Sequence, residues 1–122
     1  MKIAFTSSGK DLDANLDERF GRCPYFLIVN PDTEDYEVVE NKNQSASGAG
    51  VQVAQILVDS GVQVVVTGNV GPNAIKVLQV AGVEIYAAGT GTVRRALINF
   101  KQNRLEVISE ATVRSHSGVN GN

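Results

Sequence analysis

The chain has 122 residues, of which 43% are hydrophobic and 20% are charged, and its formal net charge is −2. These values are typical of one soluble globular domain with a single modest core. A weakly acidic chain gives no support to a general role at nucleic-acid or membrane surfaces, and no apolar run approaches the roughly 20 residues of a membrane span. The single cysteine excludes an internal disulfide, and the N-terminal residues lack the apolar core of a signal peptide. We therefore expect a cytoplasmic protein without a nucleic-acid or membrane partner.

The N-terminal third of the chain predicts one strand followed by an antiparallel hairpin. Residues 3–5 are a short apolar run, and residues 8–24 are polar without helical periodicity, which predicts a strand and then a long loop. Residues 25–29 are continuously apolar, as in a strand that is buried on both faces. Residues 30–35 carry Pro and Asp at turn positions, so residues 36–41 are predicted to return as the second strand of a hairpin.

The rest of the chain follows a repeated plan of apolar strand, small-residue turn and helix. Two repeats begin at Gly61 and Gly82, and each predicts a right-handed βα unit. Pro72 suits the first turn of a helix, and Thr92 suits an N-cap. The predicted helices are 50–60, 72–81 and 92–103, and the predicted strands are 62–66 and 83–88, with residues 105–109 as a candidate for a short edge strand.

These elements predict a single α/β domain over residues 1–110, with a mixed sheet of about five strands, an N-terminal antiparallel hairpin and three helices. Residues 111–122 have little to bury and are predicted to form a mobile tail. No strongly apolar helix face is left without a place in the core, so we expect a monomer.

Small-residue turns follow three of the predicted strands, at residues 6–9, 67–71 and 89–92. In open α/β sheets, ligands bind beyond the carboxyl ends of the parallel strands. Two of these turns also open helices, whose N-termini carry unpaired N–H groups and the positive end of the helix dipole. The sequence therefore predicts an anion-binding edge. The alternative is that each glycine serves only to make a tight turn.

The only thiol, Cys23, lies beside two cations, Arg19 and Arg22. Nearby positive charge would lower the pKa of the thiol, and a thiolate is a soft ligand for iron, copper or a cluster edge. The alternative for the thiol is a buried role as a small hydrophobe. The alternative for Arg22 is a surface salt bridge to Asp17 or Glu18.

The only histidine, His116, is a second candidate metal ligand, and its alternative is a solvated residue in the tail. The chain has no GxxxxGK[ST] or GxGxxG fingerprint and no visible Ser-His-Asp arrangement. With one Cys and one His, it is also poorly supplied for a protein-built metal site or for histidine acid–base catalysis.

Four motifs, in their order and spacing, resemble the nitrogenase iron–molybdenum cofactor biosynthesis family, in the form of NifX and the C-terminal part of NifB. The motifs are RFGRCPYF (19–26), SGAG (47–50), TGNVGPNAIKVL (67–78) and AGVEIYAAGTGTVRRAL (81–97), and the resemblance spans residues 1–108. It implies an RNase H-like α/β fold. It also implies a small carrier or scaffold and not an enzyme.

Members of the family bind the iron–molybdenum–sulfur cofactor or its precursors, and the similar orange proteins of sulfate reducers hold a molybdenum–copper sulfide cluster without covalent attachment. The resemblance therefore implies an anionic metal–sulfur cluster (Mo/Fe/S or Mo/Cu/S) as ligand and a cluster donor or acceptor protein as partner. Relatives commonly carry Ala at the position of Cys23, so the family does not require a thiol there. The residues expected to contact the cluster are Ser8, Arg19, Arg22, Cys23, Gly48, Gly50, Gly68, Gly71, Gly91 and Thr92, with Cys23 and His116 as the candidate metal ligands.

Two other functions compete with the carrier. An enzyme such as a two-metal nuclease needs acidic residues at the strand ends, and the first strand ends in FTSSG without one. A regulatory or scaffold protein that binds another protein without a cluster is compatible with the low number of thiol and imidazole groups.

Overall fold

The protein is described by a computed structural model over residues 1–45 and 47–111. The strands are β1 (Ile3–Ser7), β2 (Tyr25–Val29), β3 (Tyr36–Glu40), β4 (Val64–Thr67), β5 (Glu84–Ala87) and β6 (Glu106–Val107). The helices are α1 (Ala49–Asp59), α2 (Pro72–Val80) and α3 (Val93–Lys101). The predicted α/β class and the three helices are confirmed, and the helix ends agree with the prediction to within two residues. The predicted mobile tail lies outside the described residues, except for Ala111.

One mixed sheet carries all six strands, in the order β3-β2-β1-β4-β5-β6. The prediction of about five strands was one too few, because β6 contributes only two residues, which pair antiparallel with β5. The predicted hairpin is confirmed, since β2 pairs antiparallel with both β1 and β3. The RNase H-like topology implied by the resemblance stays a prediction.

The strand directions bring the starts of all three helices to one edge of the sheet. β1, β4 and β5 are parallel neighbours, and β3 runs in the same direction because two antiparallel pairings separate it from β1. The carboxyl ends of these four strands therefore lie at the same edge, which we call the carboxyl edge. α1, α2 and α3 follow β3, β4 and β5 in the chain and begin at this edge.

The sheet is covered on both faces, which explains its continuously apolar strands. α1 and α2 cover one face, where Ala54, Leu57 and Leu78 pack with residues of β2, β4 and β5. α3 covers the other face, where Leu97 packs with Phe5. Glycine ends two of the helices as predicted: Gly61 and Gly82 take φ values of 81° and 78°, which suit glycine at a helix C-terminus.

Candidate functional site

The first part of the loop between β1 and β2 closes the start of α3. The N–H groups of Val93 and Arg94 donate to the carbonyl oxygens of Ala14 (2.9 Å) and Leu12 (2.8 Å). The Thr92 hydroxyl accepts from the N–H of Arg95 at 3.0 Å, as an N-cap does. An anion at this helix start therefore has no free N–H of Val93, Arg94 or Arg95 to bind, contrary to what the turn at residues 89–92 led us to expect.

Replacement of Thr92 by alanine is expected to lower the free energy of unfolding by about 1 kcal/mol, because the N–H of Arg95 loses its acceptor. Urea unfolding followed by circular dichroism measures this change. Thr90→Ala is the matched control, since Thr90 is exposed and does not cap the helix. Equal midpoints for wild type and Thr92→Ala would contradict the capping role.

The second part of the same loop crosses the carboxyl edge towards α1 and α2. The N–H of Asn69 donates to the carbonyl of Glu18 at 2.7 Å, and the N–H of Phe20 donates to the carbonyl of Asn69 at 3.2 Å. This close crossing needs glycine at two places. A Cβ on Gly68 would lie 2.5 Å from the Cβ of Glu18, and a Cβ on Gly21 would lie 2.8 Å from the backbone nitrogen of Gly50.

The two arginines of the loop differ in how their charge is used. Arg19 forms a two-pronged salt bridge with Asp17, with Nε–Oδ1 and Nη2–Oδ2 distances of 3.0 and 2.9 Å. Hydrogen bonding from Arg19 lowers the pKa of the Asp17 carboxyl, so the pair stays charged at neutral pH. The guanidinium of Arg22 is exposed, donates to the carbonyl of Gln44 at 2.8 Å and forms no ion pair with any described residue. The salt bridge considered for Arg22 is thus made by Arg19.

Cys23 is fully buried in the core beneath α1 and α2. Its Sγ donates to the carbonyl of Phe20 at 3.4 Å. Burial raises the pKa of the thiol to about 12, and the negative charge of Asp17 adds to this, whereas Arg19 lowers it by less. The expectation of a lowered thiol pKa was therefore wrong. The chain between the two arginines turns, with the N–H of Cys23 on the carbonyl of Arg19 (3.1 Å), so that the guanidinium groups face solvent and the thiol faces the core.

The starts of α1 and α2 lie side by side and are not capped. α1 and α2 pack along one another, and a Cβ on Gly50 would lie 3.4 Å from the Cβ of Ala74, so their first turns are in contact. Neither helix has a side-chain cap or an acidic residue in its first turn. Among the described residues, no acceptor is found for the N–H groups of Ala49, Gly50 and Ala74. We call residues 48–50 and 71–74 the paired helix starts. Their dipoles add positive potential at one place.

Asn41 holds the Arg22 segment beside the paired helix starts. Its Nδ2 donates to the carbonyls of Gly21 (3.0 Å) and Cys23 (2.8 Å), which flank Arg22 on both sides. Its Oδ1 accepts from the N–H of Asn43 at 3.0 Å, and the side chain is buried. Sequence reasoning missed this residue because an Asn at the end of a strand reads as an ordinary turn residue.

A cleft of about 440 Å³ lies at the carboxyl edge, beyond the ends of β1, β4 and β5. Two carboxylates and no cationic side chain line it, so the cleft itself is not suited to an anion. Its lining residues are Ser8, Asn15, Leu16, Asp17, Glu18, Gly68, Asn69, Ala88, Gly89 and Thr90.

The predicted site residues thus separate into several places. Arg22, Gly48, Gly50 and Gly71 lie at or beside the paired helix starts, and Ser8 and Gly68 line the cleft. Gly91 and Thr92 lie at the closed start of α3, Arg19 is paired with Asp17, and Cys23 is in the core. His116 lies outside the described residues, and residues 1–45 and 47–111 contain no group of three or more His, Cys, Asp or Glu side chains placed to hold a metal ion.

The family model for the dinitrogenase iron–molybdenum cofactor matches residues 1–103. The chain belongs to this family. The resemblance drawn from the four motifs is thereby confirmed. Across residues 1–45 and 47–111, none of the helices has the length and hydrophobicity to cross a membrane.

Solved structures of similar proteins share the fold. The apo form of the orange protein from Desulfovibrio gigas is 37% identical, with a TM-score of 0.86, covering 91% of this chain and 95% of that one. A NifB-like protein from Thermotoga is 40% identical, with a TM-score of 0.81, covering 91% of this chain and 96% of that one.

A relative found by sequence, an uncharacterised protein of Methanocaldococcus jannaschii, is 29% identical over 111 residues, which are 87% of this chain and 94% of the relative.

Proposed function

We propose that the protein is a non-catalytic carrier that binds an anionic metal–sulfur cluster for storage or transfer. The cluster is an iron–molybdenum cofactor precursor or a molybdenum–copper sulfide, the ligand types that the family resemblance implies. The observation that carries the proposal is the pair of uncapped helix starts beside Arg22, whose charge no described carboxylate neutralises. A cluster donor or acceptor protein, a cytoplasmic location and a monomeric state are part of the same proposal.

The chemistry of the paired helix starts suits such a cargo. Cluster sulfides are negatively charged acceptors, and they take hydrogen bonds from backbone N–H groups and from guanidinium groups. Gly50 allows the first turns of α1 and α2 to pack closely, since a Cβ there would lie 3.4 Å from the Cβ of Ala74. Cys23 is not part of this arrangement, because its protonated thiol is enclosed by the core. The cargo is thus expected to be held by hydrogen bonds and charge.

Reconstitution of the purified protein tests the proposal. Anaerobic incubation with tetrathiomolybdate and Cu(I), and separately with ferrous iron and sulfide, is followed by desalting, visible spectroscopy and metal analysis. Wild type is expected to retain stoichiometric metal with new charge-transfer bands. Arg22→Ala is expected to bind about tenfold more weakly or worse, since a charge-assisted hydrogen bond contributes roughly 1.5–3 kcal/mol.

Three variants sharpen this experiment. Arg104→Ala makes the same charge change at an exposed residue beyond the C-terminus of α3, far from the carboxyl edge, and is expected to bind as wild type does. Cys23→Ala is expected to keep its metal. Asp17→Asn is expected to increase retention, because it frees the charge of Arg19.

A wild-type protein that stays colourless and metal-free under both conditions would contradict binding of these clusters and would favour the scaffold role. Equal losses of retained metal in Arg22→Ala and Arg104→Ala would indicate that the anion is attracted without a specific site. Loss in Cys23→Ala alone would indicate thiolate ligation.

A further inference from the structure

β3 is an edge strand with one side unpaired. All five of its residues pair in regular register with β2, from Tyr25 opposite Glu40 to Val29 opposite Tyr36, and no described strand lies on its other side. Tyr36 and Val38 keep 40% and 39% of their surface exposed. A regular, unpaired edge of this kind presents N–H and C=O groups that another strand can pair with.

An apolar groove runs between β3 and α1. It has a volume of about 300 Å³, and Phe26 and Val39 from the sheet and Val53, Ile56 and Leu57 from the helix line it. Residues 41–43 close the groove at the carboxyl edge. An edge strand beside a groove under a helix is the arrangement in which a partner peptide adds a strand, with backbone bonds to the edge and alternate side chains in the groove.

The charge along this edge selects the kind of strand that fits. Asp32, Asp35, Glu37 and Glu40 are exposed, and none of them forms an ion pair with a described residue. Glu34 is the exception, since it bonds to Lys101 at 3.1 Å. The sequence has no Lys or Arg between residues 30 and 41. Pairing of β3 with a second copy of itself would bring together Glu37 and Glu40 of both chains, which is four negative charges. The edge therefore disfavours a second β3 and favours a basic strand.

We propose that the groove between β3 and α1 is a docking site for an extended, basic segment of a partner protein. The segment pairs with β3, places an aliphatic side chain between Val39 and Ile56, and sets its cations against Glu37 and Glu40. Glu37 lies on the face of the sheet that α1 covers, as does its pair partner Ile28. Lys42 is the one cation among the residues that line the groove. At the carboxyl edge the groove ends at residues 41–43, next to Gln44. The carbonyl of Gln44 accepts a hydrogen bond from Arg22, so a docked partner lies next to the paired helix starts.

The test uses the apo-protein and does not depend on any cluster. The ¹³C,¹⁵N-labelled protein is titrated with an eight-residue capped peptide of valine with two lysines three residues apart, so that the lysines can face Glu37 and Glu40 while a valine faces Val39. A second peptide carries glutamate in place of each lysine. The lysine peptide is expected to shift the amide signals of residues 36–40 and the methyl signals of Val53 and Ile56. It is also expected to slow hydrogen exchange of the outward β3 amides by about threefold or more at saturation.

Reversal of the β3 charges then tests whether the peptide is recognised by its charge. Glu37→Lys with Glu40→Lys is expected to weaken binding of the lysine peptide by about tenfold or more and to create binding of the glutamate peptide. Glu106→Lys with Glu110→Lys is the matched control, since it makes the same charge change at exposed residues near the opposite edge of the sheet. It is expected to bind the lysine peptide about as wild type does.

Three results would overturn the proposal. One is the absence of shifts at residues 36–40 at millimolar peptide. Another is an equal response to both peptides, or equal weakening in the control variant, which would reduce the effect to unspecific charge. The third is a concentration-dependent dimer of the apo-protein with the same shifted signals, which would assign the groove to a second copy of the chain.

Discussion

Gly68→Ala is expected to destabilise the protein by about 2 kcal/mol or more and to lift the crossing loop off the carboxyl edge. The new Cβ would lie 2.5 Å from the Cβ and 2.7 Å from the Cα of Glu18, and a backbone atom cannot rotate away. Overpacking of this kind costs roughly 1–3 kcal/mol. The bond from Asn69 N–H to the Glu18 carbonyl adds to the loss, at about 1 kcal/mol.

Urea unfolding and hydrogen exchange of the Phe20 and Asn69 amides together measure this effect. The matched control is Gly89→Ala in the same cleft, where a Cβ meets no atom within 4 Å and φ is not in the left-handed region. The control is expected to stay within about 0.5 kcal/mol of wild type. Similar losses in both variants would show that the close crossing at Gly68 is not what holds the loop.

The Cys23 thiol is expected to react with a disulfide reagent at pH 8 about a thousandfold more slowly in the folded protein than in the unfolded chain. Its pKa of about 12, against an ordinary value of 9.0, leaves a thiolate fraction about a thousand times smaller, and burial slows access further. Reaction rates in buffer and in urea measure the ratio. A fast native reaction would place the thiol near the surface and return Cys23 to the candidate metal ligands.

The same thiol also predicts the sign of a pH effect on stability. Because folding raises the pKa, the stability from the neutral buried thiol is fully present below pH 9 and is lost as the pH rises towards 12. The expected slope in that window is about −1.4 kcal/mol per pH unit. The free energy of unfolding is measured against pH for wild type and for Cys23→Ala. The difference between the two curves removes the contributions of Lys and Tyr titration. Identical slopes for both proteins would contradict the raised pKa.

Sequence patterns located the regular elements because each has a local cause. The apolar runs at residues 25–29 and 62–66 and the glycines at residues 61 and 82 predict strands and helix ends without help from the rest of the fold. β6 was harder to count, because a strand of two residues depends on its pairing with β5 and has no periodicity of its own.

The details of the site depend on contacts that leave no trace in residue types. The start of α3 is closed by the backbone carbonyls of Leu12 and Ala14, and any residue could supply those. The neighbourhood of Arg19, Arg22 and Cys23 in the sequence suggested that the charges act on the thiol. The turn between Arg19 and Cys23 directs the two guanidinium groups to solvent and the thiol into the core. Residue types alone do not predict these directions.

The position of β1 has a consequence for the chain during its synthesis. β1 is made first but lies inside the sheet, and its partner β4 begins only at Val64, after the β1–β2–β3 meander is complete at Glu40. At typical translation speeds, the intervening residues take about 1–5 s to be added. For that time the nascent meander has an open side along Ile3, Ala4 and Phe5, three residues that are fully buried in the finished fold. A strand that ends fully buried is thus open to mispairing on the ribosome until β4 has been made.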